Sequence, residues 1–274
     1  MANFGLQGRG PRLTLLGFQD DATSRVLAAH FQLEPENALG YFRLLQQLVT
    51  RHGIPLSLYR DRHSIFQRND PHWSLAEELA GQQFPTQVGR ALDELGIQQI
   101  PAHSPQAKGR IERLWRTFQD RLVSELRLAG ATTCEQANQV LDRFLDDFNQ
   151  HFAVAPRQAA SDFRRLPRGF DLARCLSFRY QRVVAPDHTI AFGSETIQLP
   201  PARLGYAGCS VELSHQLDGQ LCIYRGPQRL LSLRRPLGEL TEPKPAIRTA
   251  AQKHKPKQPQ IYAYSGRPAL AATP

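Results

Sequence analysis

The feature that most constrains this chain is a change of hydrophobic period at Pro156. Ahead of it, apolar residues recur every three to four positions in several segments, which is the spacing of one helix face. Beyond it that period disappears, and short strand-like runs follow at 176–185, 189–192, 196–199, 211–217, 221–224 and 230–233. Asp218-Gly219 separates two of these runs, and this dipeptide is a strong hairpin signal because it tolerates the positive φ of a two-residue turn. Short strands at such intervals predict a small SH3-like β-barrel over residues 170–236. The boundary is the basic, proline-containing stretch 164–169.

The first 160 residues read as alternating elements. Apolar runs at 13–18 and 26–31 predict a hairpin turning at 21–24. Pro35 suits the first turn of a helix, where its missing N–H would be unpaired anyway. Leu39, Phe42, Leu45 or Leu44, Leu48 and Val49 supply the buried face, and Gly53 ends it. A strand at 55–59, a helix at 86–95 stopped by Gly96 and a strand at 97–101 follow. Ser104-Pro105 opens a long helix with Ile111, Leu114, Trp115, Phe118, Leu122 and Leu126 as its apolar stripe. Thr132 or Thr133 caps the next, with Ala137, Val140, Leu141, Phe144, Leu145 and Phe148 facing inward. This order is an α/β layer architecture.

Charge narrows the partners. The 34 basic and 25 acidic residues leave a net charge of +9, which favours a polyanion, and nucleic acid is the usual one. Within 241–274, Lys244, Arg248, Lys253, Lys255, Lys257 and Arg267 face one acid, Glu242, among prolines 243, 245, 256, 259 and 268. Such a segment reads as a disordered basic tail, either a nucleic-acid arm or a solubilising one. No apolar run approaches the roughly 18 residues of a membrane span, and the first ten residues lack the apolar core of a secretory signal. The cysteines at 134, 175, 209 and 222 form no C-x-x-C pair, which argues against a zinc ribbon or redox motif. They read as reduced thiols of a cytoplasmic protein. No Ser/His/Asp nucleophile arrangement and no phosphate-cradling glycine loop is visible.

Two acids follow a physical logic. Asp61 comes directly after the apolar strand and would project from the C-terminal edge of a parallel sheet, where open α/β sheets bind ligands. Glu112 falls about 85° from the centre of the apolar stripe of the long helix, with Lys108, Arg116 and Gln119 within roughly 40° of it. A carboxylate so placed either holds a metal beside a phosphate backbone or belongs to an ordinary Lys108–Glu112–Arg116 ion-pair ladder.

Sequence context bears on that choice. The run His103-Ser104-Pro105-Gln106-Ala107-Lys108-Gly109-Arg110-Ile111-Glu112-Arg113 resembles the third-carboxylate segment of retroviral-type integrases and DDE transposases. Tyr59-Arg60-Asp61-Arg62-His63-Ser64-Ile65-Phe66 resembles their second-carboxylate segment, and the opening GRGPRLTLLGFQDDATSRVLAAHF resembles the ISNCY group of insertion-sequence transposases. The resemblance covers residues 8–160 well and the C-terminal part more loosely. Fifty residues separate Asp61 from Glu112, against about 35 in many members, and the polar stretch 67–81 accounts for the excess of about 15. Its Trp73 is either a DNA-contacting aromatic or a cap on the insertion.

The resemblance implies an RNase H-like mixed sheet flanked by helices over 1–160, and transposition by metal-dependent phosphodiester cleavage and strand transfer. Asp61 and Glu112 would be two of three ligands of Mg²⁺ or Mn²⁺. Lys108, Arg110, Arg113, Arg116 and Gln119 would face DNA, and Arg225, Arg229, Arg234 and Arg235 of the barrel would grip phosphates. Transposon ends and target DNA would be the partners, in a homo-oligomer, within the cytoplasm at the nucleoid. The family's first Asp precedes the segment matching residues 8–11, where Met1 to Gln7 hold no acid. The chain therefore reads as lacking its first strand and first catalytic Asp. Asp20 and Asp21 read better as turn residues than as substitutes. Exposed strand edges would then lower solubility or stability. The alternative is a non-catalytic DNA-binding remnant that co-assembles with the full-length enzyme.

Overall fold

The computed structural model of the chain describes residues 2–61, 63–68, 71–102, 105–203 and 205–237. Its elements are β1 (Ala2–Gly5), β2 (Arg12–Gln19), β3 (Val26–Gln32), α1 (Ala38–His52), β4 (Ile54–Pro55), β5 (Ser57–Arg60), α2 (Leu75–Ala80), α3 (Gln87–Glu94) and β6 (Gln98–Pro101). The long helices α4 (Pro105–Leu128) and α5 (Cys134–Phe152) come next. After them come β7 (Phe163–Arg164), α6 (Leu172–Cys175), β8 (Phe178–Val183), β9 (Thr189–Phe192), β10 (Glu195–Gln198), β11 (Ser210–His215), β12 (Gln220–Arg225) and β13 (Gln228–Arg234). The fold is a mixed α/β architecture. No helix among the described residues is long and apolar enough to cross a membrane.

Alternation along β2 builds the first half. Leu13 and Leu15 join one core with Phe31, Leu114, Trp115, Phe118, Leu122, Leu141 and Phe148, under α4 and α5. Leu16 and Phe18 point the other way, into a second core with Phe42, Leu45, Val49, Val88 and Leu92, under α1 and α3. A strand's side chains alternate between faces, so one eight-residue strand glues two helical layers together. Phe118 sits edge-on to Trp115, Phe144 and Phe148, with centroids 5.8, 5.1 and 4.9 Å away. Pro35 lies ahead of α1 and not in its first turn: the helix is capped by Asn37, whose side chain accepts from the Gly40 amide. Of the two threonines expected to cap α5 it is Thr133 that does so, in a capping box with Gln136. The Ser104 cap expected for α4 lies outside the described residues.

The structure corrects the expectation that β2 begins at an open edge. Ala2–Gly5 pairs antiparallel with β2, in register Ala2↔Leu15 and Gly5↔Arg12. Ladder pairing in place of an open edge lets the apolar Phe4 reach Phe31 edge-on at 5.4 Å. The ladder β1-β2-β3 and the parallel pair β5-β6 remain separate sheets among the described residues. A second correction concerns the barrel. The C-terminal strands form a four-stranded antiparallel sheet, β13-β12-β11-β8, and a separate β10-β9 hairpin, packed about one core without a closed hydrogen-bonded ring. Pro200 and Pro201 follow β10 and have no N–H to donate, which stops that ladder from continuing. The basic tail expected at 241–274 lies outside the described residues.

The C-terminal sheet is seated on the first half through α3. Gln87 donates to the Arg179 carbonyl at 2.8 Å and accepts from the Arg179 amide at 3.0 Å, imitating a ladder partner. Arg90 donates to the carbonyls of Ser177 and Cys175, and Glu94 receives both Arg179 Nη1 and Nη2 at 2.8 Å. Beneath these polar contacts, Phe42 meets Phe178 at 5.3 Å.

The polar stretch 67–81 contains α2 and is tied by one buried carboxylate. Glu77 accepts from the amide and hydroxyl of Ser74, each at 2.8 Å, from the Phe84 amide at 2.8 Å, and from Arg68. The Ser74 amide and then the Phe84 amide hold the Glu77 carboxyl at about 2, against burial working the other way. A carboxyl depressed in the folded state stabilises above its ordinary value, and that contribution is lost as pH falls toward the folded value. Acidification from about pH 4.5 to about pH 2 is expected to open this segment, read as faster exchange of the Phe84 amide. Glu77→Gln is expected to show the fast exchange already at neutral pH; protection unchanged in that variant would refute the assignment.

Close approach makes a second prediction. A Cβ at Gly10 would run into the backbone carbonyl oxygen of Thr132, whereas one at Gly109 meets nothing within 4 Å. Gly10→Ala is expected to cost about 1–3 kcal/mol in urea unfolding, and Gly109→Ala to be neutral or stabilising by about 0.5–1 kcal/mol.

Candidate functional site

Asp61 leaves the end of β5, the strand that pairs in parallel with β6 from Ser57↔Gln98 to Arg60↔Pro101. It is half-buried, and its Oδ1 accepts from the His63 amide at 3.1 Å, closing a local turn that fixes the carboxylate. Arg60, one residue earlier, is 8% exposed. Its guanidinium donates to Gln99 Oε1 and Gln67 Oε1, each at 2.9 Å, and to the Asp61 carbonyl at 3.1 Å. These bonds pin the chain reversal from which Asp61 projects.

A tyrosine carries the field of two acids here. Tyr41 of α1 packs edge-on to Phe66 at 4.7 Å and donates its hydroxyl to Glu36. Burial first, then the charges of Glu36 and Asp61, push its phenol well above the ordinary range. Tyr41 therefore stays protonated and keeps donating to Glu36. Sequence reasoning passed over Glu36, which lies one residue before an N-cap and in no motif. The Ser74-x-x-Glu77 box, by contrast, was readable as an N-terminal helix signature.

Glu112 lies in the second turn of α4 and is exposed, as are Arg113, Arg116 and Gln119. No ion pair joins Glu112 to Arg116 among the described residues. Lys108 and Arg110 fall on the same helix, with side chains outside the described set. Arg113 also borders a cavity of about 200 Å³ with Gln19, Ser24, Thr117 and Phe152, between α4, α5 and the β2–β3 turn. Asp20 closes that turn, accepting from the Thr23 amide at 3.0 Å and from the Thr23 hydroxyl, as a turn residue does.

The C-terminal arginines divide. Arg225 and Arg229 are exposed beside the tight turn between β12 and β13, where Arg225 pairs with Gln228 and Tyr224 with Arg229. Arg234 is exposed near the far end of β13, about 17 Å from Arg229 at the rise of a strand. Arg235 is engaged: its Nε donates to Glu195 at 2.9 Å and its carbonyl accepts from His215 at 2.7 Å.

Asp61 and Glu112 are hard oxygen donors of the kind that suits Mg²⁺ or Mn²⁺. Among the described residues, no group of three or more His, Cys, Asp or Glu side chains is gathered closely enough to hold a metal ion. There is no complete metal cage among the described residues.

The sequence is 37% identical over 218 residues to the putative transposase y4bF of Sinorhizobium fredii, and 34% identical over 184 residues to the transposase for insertion sequence IS1202 of Streptococcus pneumoniae. These matches take in 78% and 67% of this chain. The chain spans less than half the length of each relative, 46% and 38%. No protein-family model matches the sequence. A cryoEM structure of the simian T-cell lymphotropic virus intasome with PP2A regulatory subunit B56 gamma aligns over 88% of this chain and 78% of its own at 12% identity. Its TM-score is 0.36, a superposition too loose to carry an argument. Matched at 34% and 37% identity over most of its own length, the chain is a homologue of proteins named as transposases.

Proposed function

We propose that the chain acts on DNA in transposition, as part of an integrase-type transposase with an RNase H-like catalytic half and a DNA-gripping C-terminal half. The observation that carries this reading is the placement of Asp61 at the C-terminal end of the parallel pair β5-β6. Open α/β sheets take their ligands outside that edge. The next segment after β6 is α4, with Glu112 exposed beside Arg113, Arg116 and Gln119. Arg113 and Arg116 would neutralise phosphates without reading bases, Gln119 would donate a neutral hydrogen bond, and Arg225, Arg229 and Arg234 would add to that grip. DNA is the partner and the working form a homo-oligomer, acting in the cytoplasm where DNA is at hand.

In this reading Asp61 and Glu112 supply two of the carboxylates for Mg²⁺ or Mn²⁺, which would activate the attacking hydroxyl of a phosphodiester cleavage. A second reading is a chain that binds DNA without cutting it, co-assembling with a full-length enzyme; among the described residues no three such donors are gathered. Nicking and strand-transfer assays with Mn²⁺ separate the two. Activity abolished by both Asp61→Asn and Glu112→Gln supports the catalytic reading, and binding without cleavage supports the second. In either case Arg116→Ala is expected to weaken binding evenly across DNA sequences and to lower the salt slope of the affinity by about 1. An affinity independent of salt would rule out both.

A further inference from the structure

Beside Asp61 lies a cavity of about 400 Å³ that the phosphodiester chemistry leaves unused. Its volume lies within the roughly 300–1,000 Å³ typical of small-ligand sites. Its lining combines exposed aromatics with amides and two arginines, Arg60 and the Glu77-paired Arg68. Trp73 and Phe84 are 38% and 49% exposed, although both are large apolar groups. They stand at opposite ends of α2, and Glu77 holds both, through the Ser74 amide next to Trp73 and through the amide of Phe84 itself. One carboxylate thus holds the backbone beside each ring. The buried Arg60 forms part of the wall, its guanidinium held by the amide oxygens of Gln67 and Gln99. Asp93, exposed on the same wall, receives Gln99 Nε2 at 3.1 Å.

We propose that this cavity takes an unpaired DNA base flipped out beside the site of strand cleavage, a role that rests on the DNA reading above. A base presents two apolar faces and a polar edge. Trp73 and Phe84 suit the faces, since aromatic side chains accept any base by stacking. The Gln67 and Gln99 amides suit the edge, and the Asp93 carboxylate matches an exocyclic amino group. The Arg60 charge, held by neutral amides, favours the phosphate attached to that base. A paired base hides both faces in the helix stack and cannot enter, so the cavity selects distorted or unpaired DNA. Because Arg60 directly precedes Asp61, the occupied cavity would place the neighbouring backbone at the carboxylate.

Intrinsic fluorescence tests this on the whole chain, because it has two tryptophans and Trp115 is only 8% exposed, leaving Trp73 as the accessible reporter. Two duplexes are compared, one fully paired and one carrying 2-aminopurine opposite an abasic site. The unpaired base is expected to bind about tenfold tighter and to quench both the indole and the 2-aminopurine. Trp73→Ala is expected to abolish that preference while affinity for the paired duplex stays, and Trp73→Phe to retain it. Phe84→Ala is expected to reduce the preference as well, with circular dichroism checking that each variant is folded. Equal affinity for the two duplexes, or a preference that survives in folded Trp73→Ala, overturns the base pocket alone. Failure to bind DNA of either kind overturns the DNA reading on which it rests.

Discussion

The rest of this structure depends on the burial of β2 on both faces. Leu13 and Leu15 are covered by α4 and α5, and Leu16 and Phe18 by the layer that contains α1 and α3. Fully burying a leucine or phenylalanine is worth about 1.5–3 kcal/mol, so few residues of one strand carry much of the link between the layers. The glycine at position 10 belongs to the same constraint, because the turn leading into β2 presses against the loop between the two long helices. The acid-bearing elements inherit their positions from this sandwich: β5 ends beside the α1 layer, and α4 lies across the opposite face.

The second organising contact is polar. Gln87, Arg90 and Glu94 lie on α3, whose other face buries Val88, Ala91 and Leu92. The polar residues meet backbone groups of 175–179 and the Arg179 side chain, so α3 completes the hydrogen bonding of the segment that enters the C-terminal sheet. Arg174 extends the set, with its guanidinium 3.9 Å above the Tyr224 ring and paired to Glu212. The DNA-facing arginines proposed for the two halves are thereby carried on one packed body and not on a free tether.

Much of this was legible in the residues. The stripe Leu114, Trp115, Phe118, Leu122 and Leu126 is buried as its period required, and so are Val140, Leu141, Leu145 and Phe148. The Asp218-Gly219 turn joins β11 to β12 where the dipeptide signalled it. Other features left no local trace. Residues 2–5 show little apolar pattern and form a strand only because β2 offers them a partner. Arg60, Gln67 and Gln99 look like ordinary polar residues, and their mutual bonds span up to 39 positions. Glu36 has no motif, and its tie to Tyr41 exists only because α1 folds back over Phe66.

By itself the sequence determined the periods, the Thr133 cap and the placement of Asp61 after a strand and Glu112 on a helix. Those properties are local, fixed by side-chain alternation and by backbone groups within a few residues. Only the tertiary structure decided that the antiparallel ladder and β5-β6 form separate sheets, that the C-terminal strands stop short of a closed barrel, and that Trp73 and Phe84 flank a cavity beside Asp61. These outcomes depend on which hydrogen-bonding edges and which ring faces meet across long stretches of chain, and pairings of that kind are settled by packing.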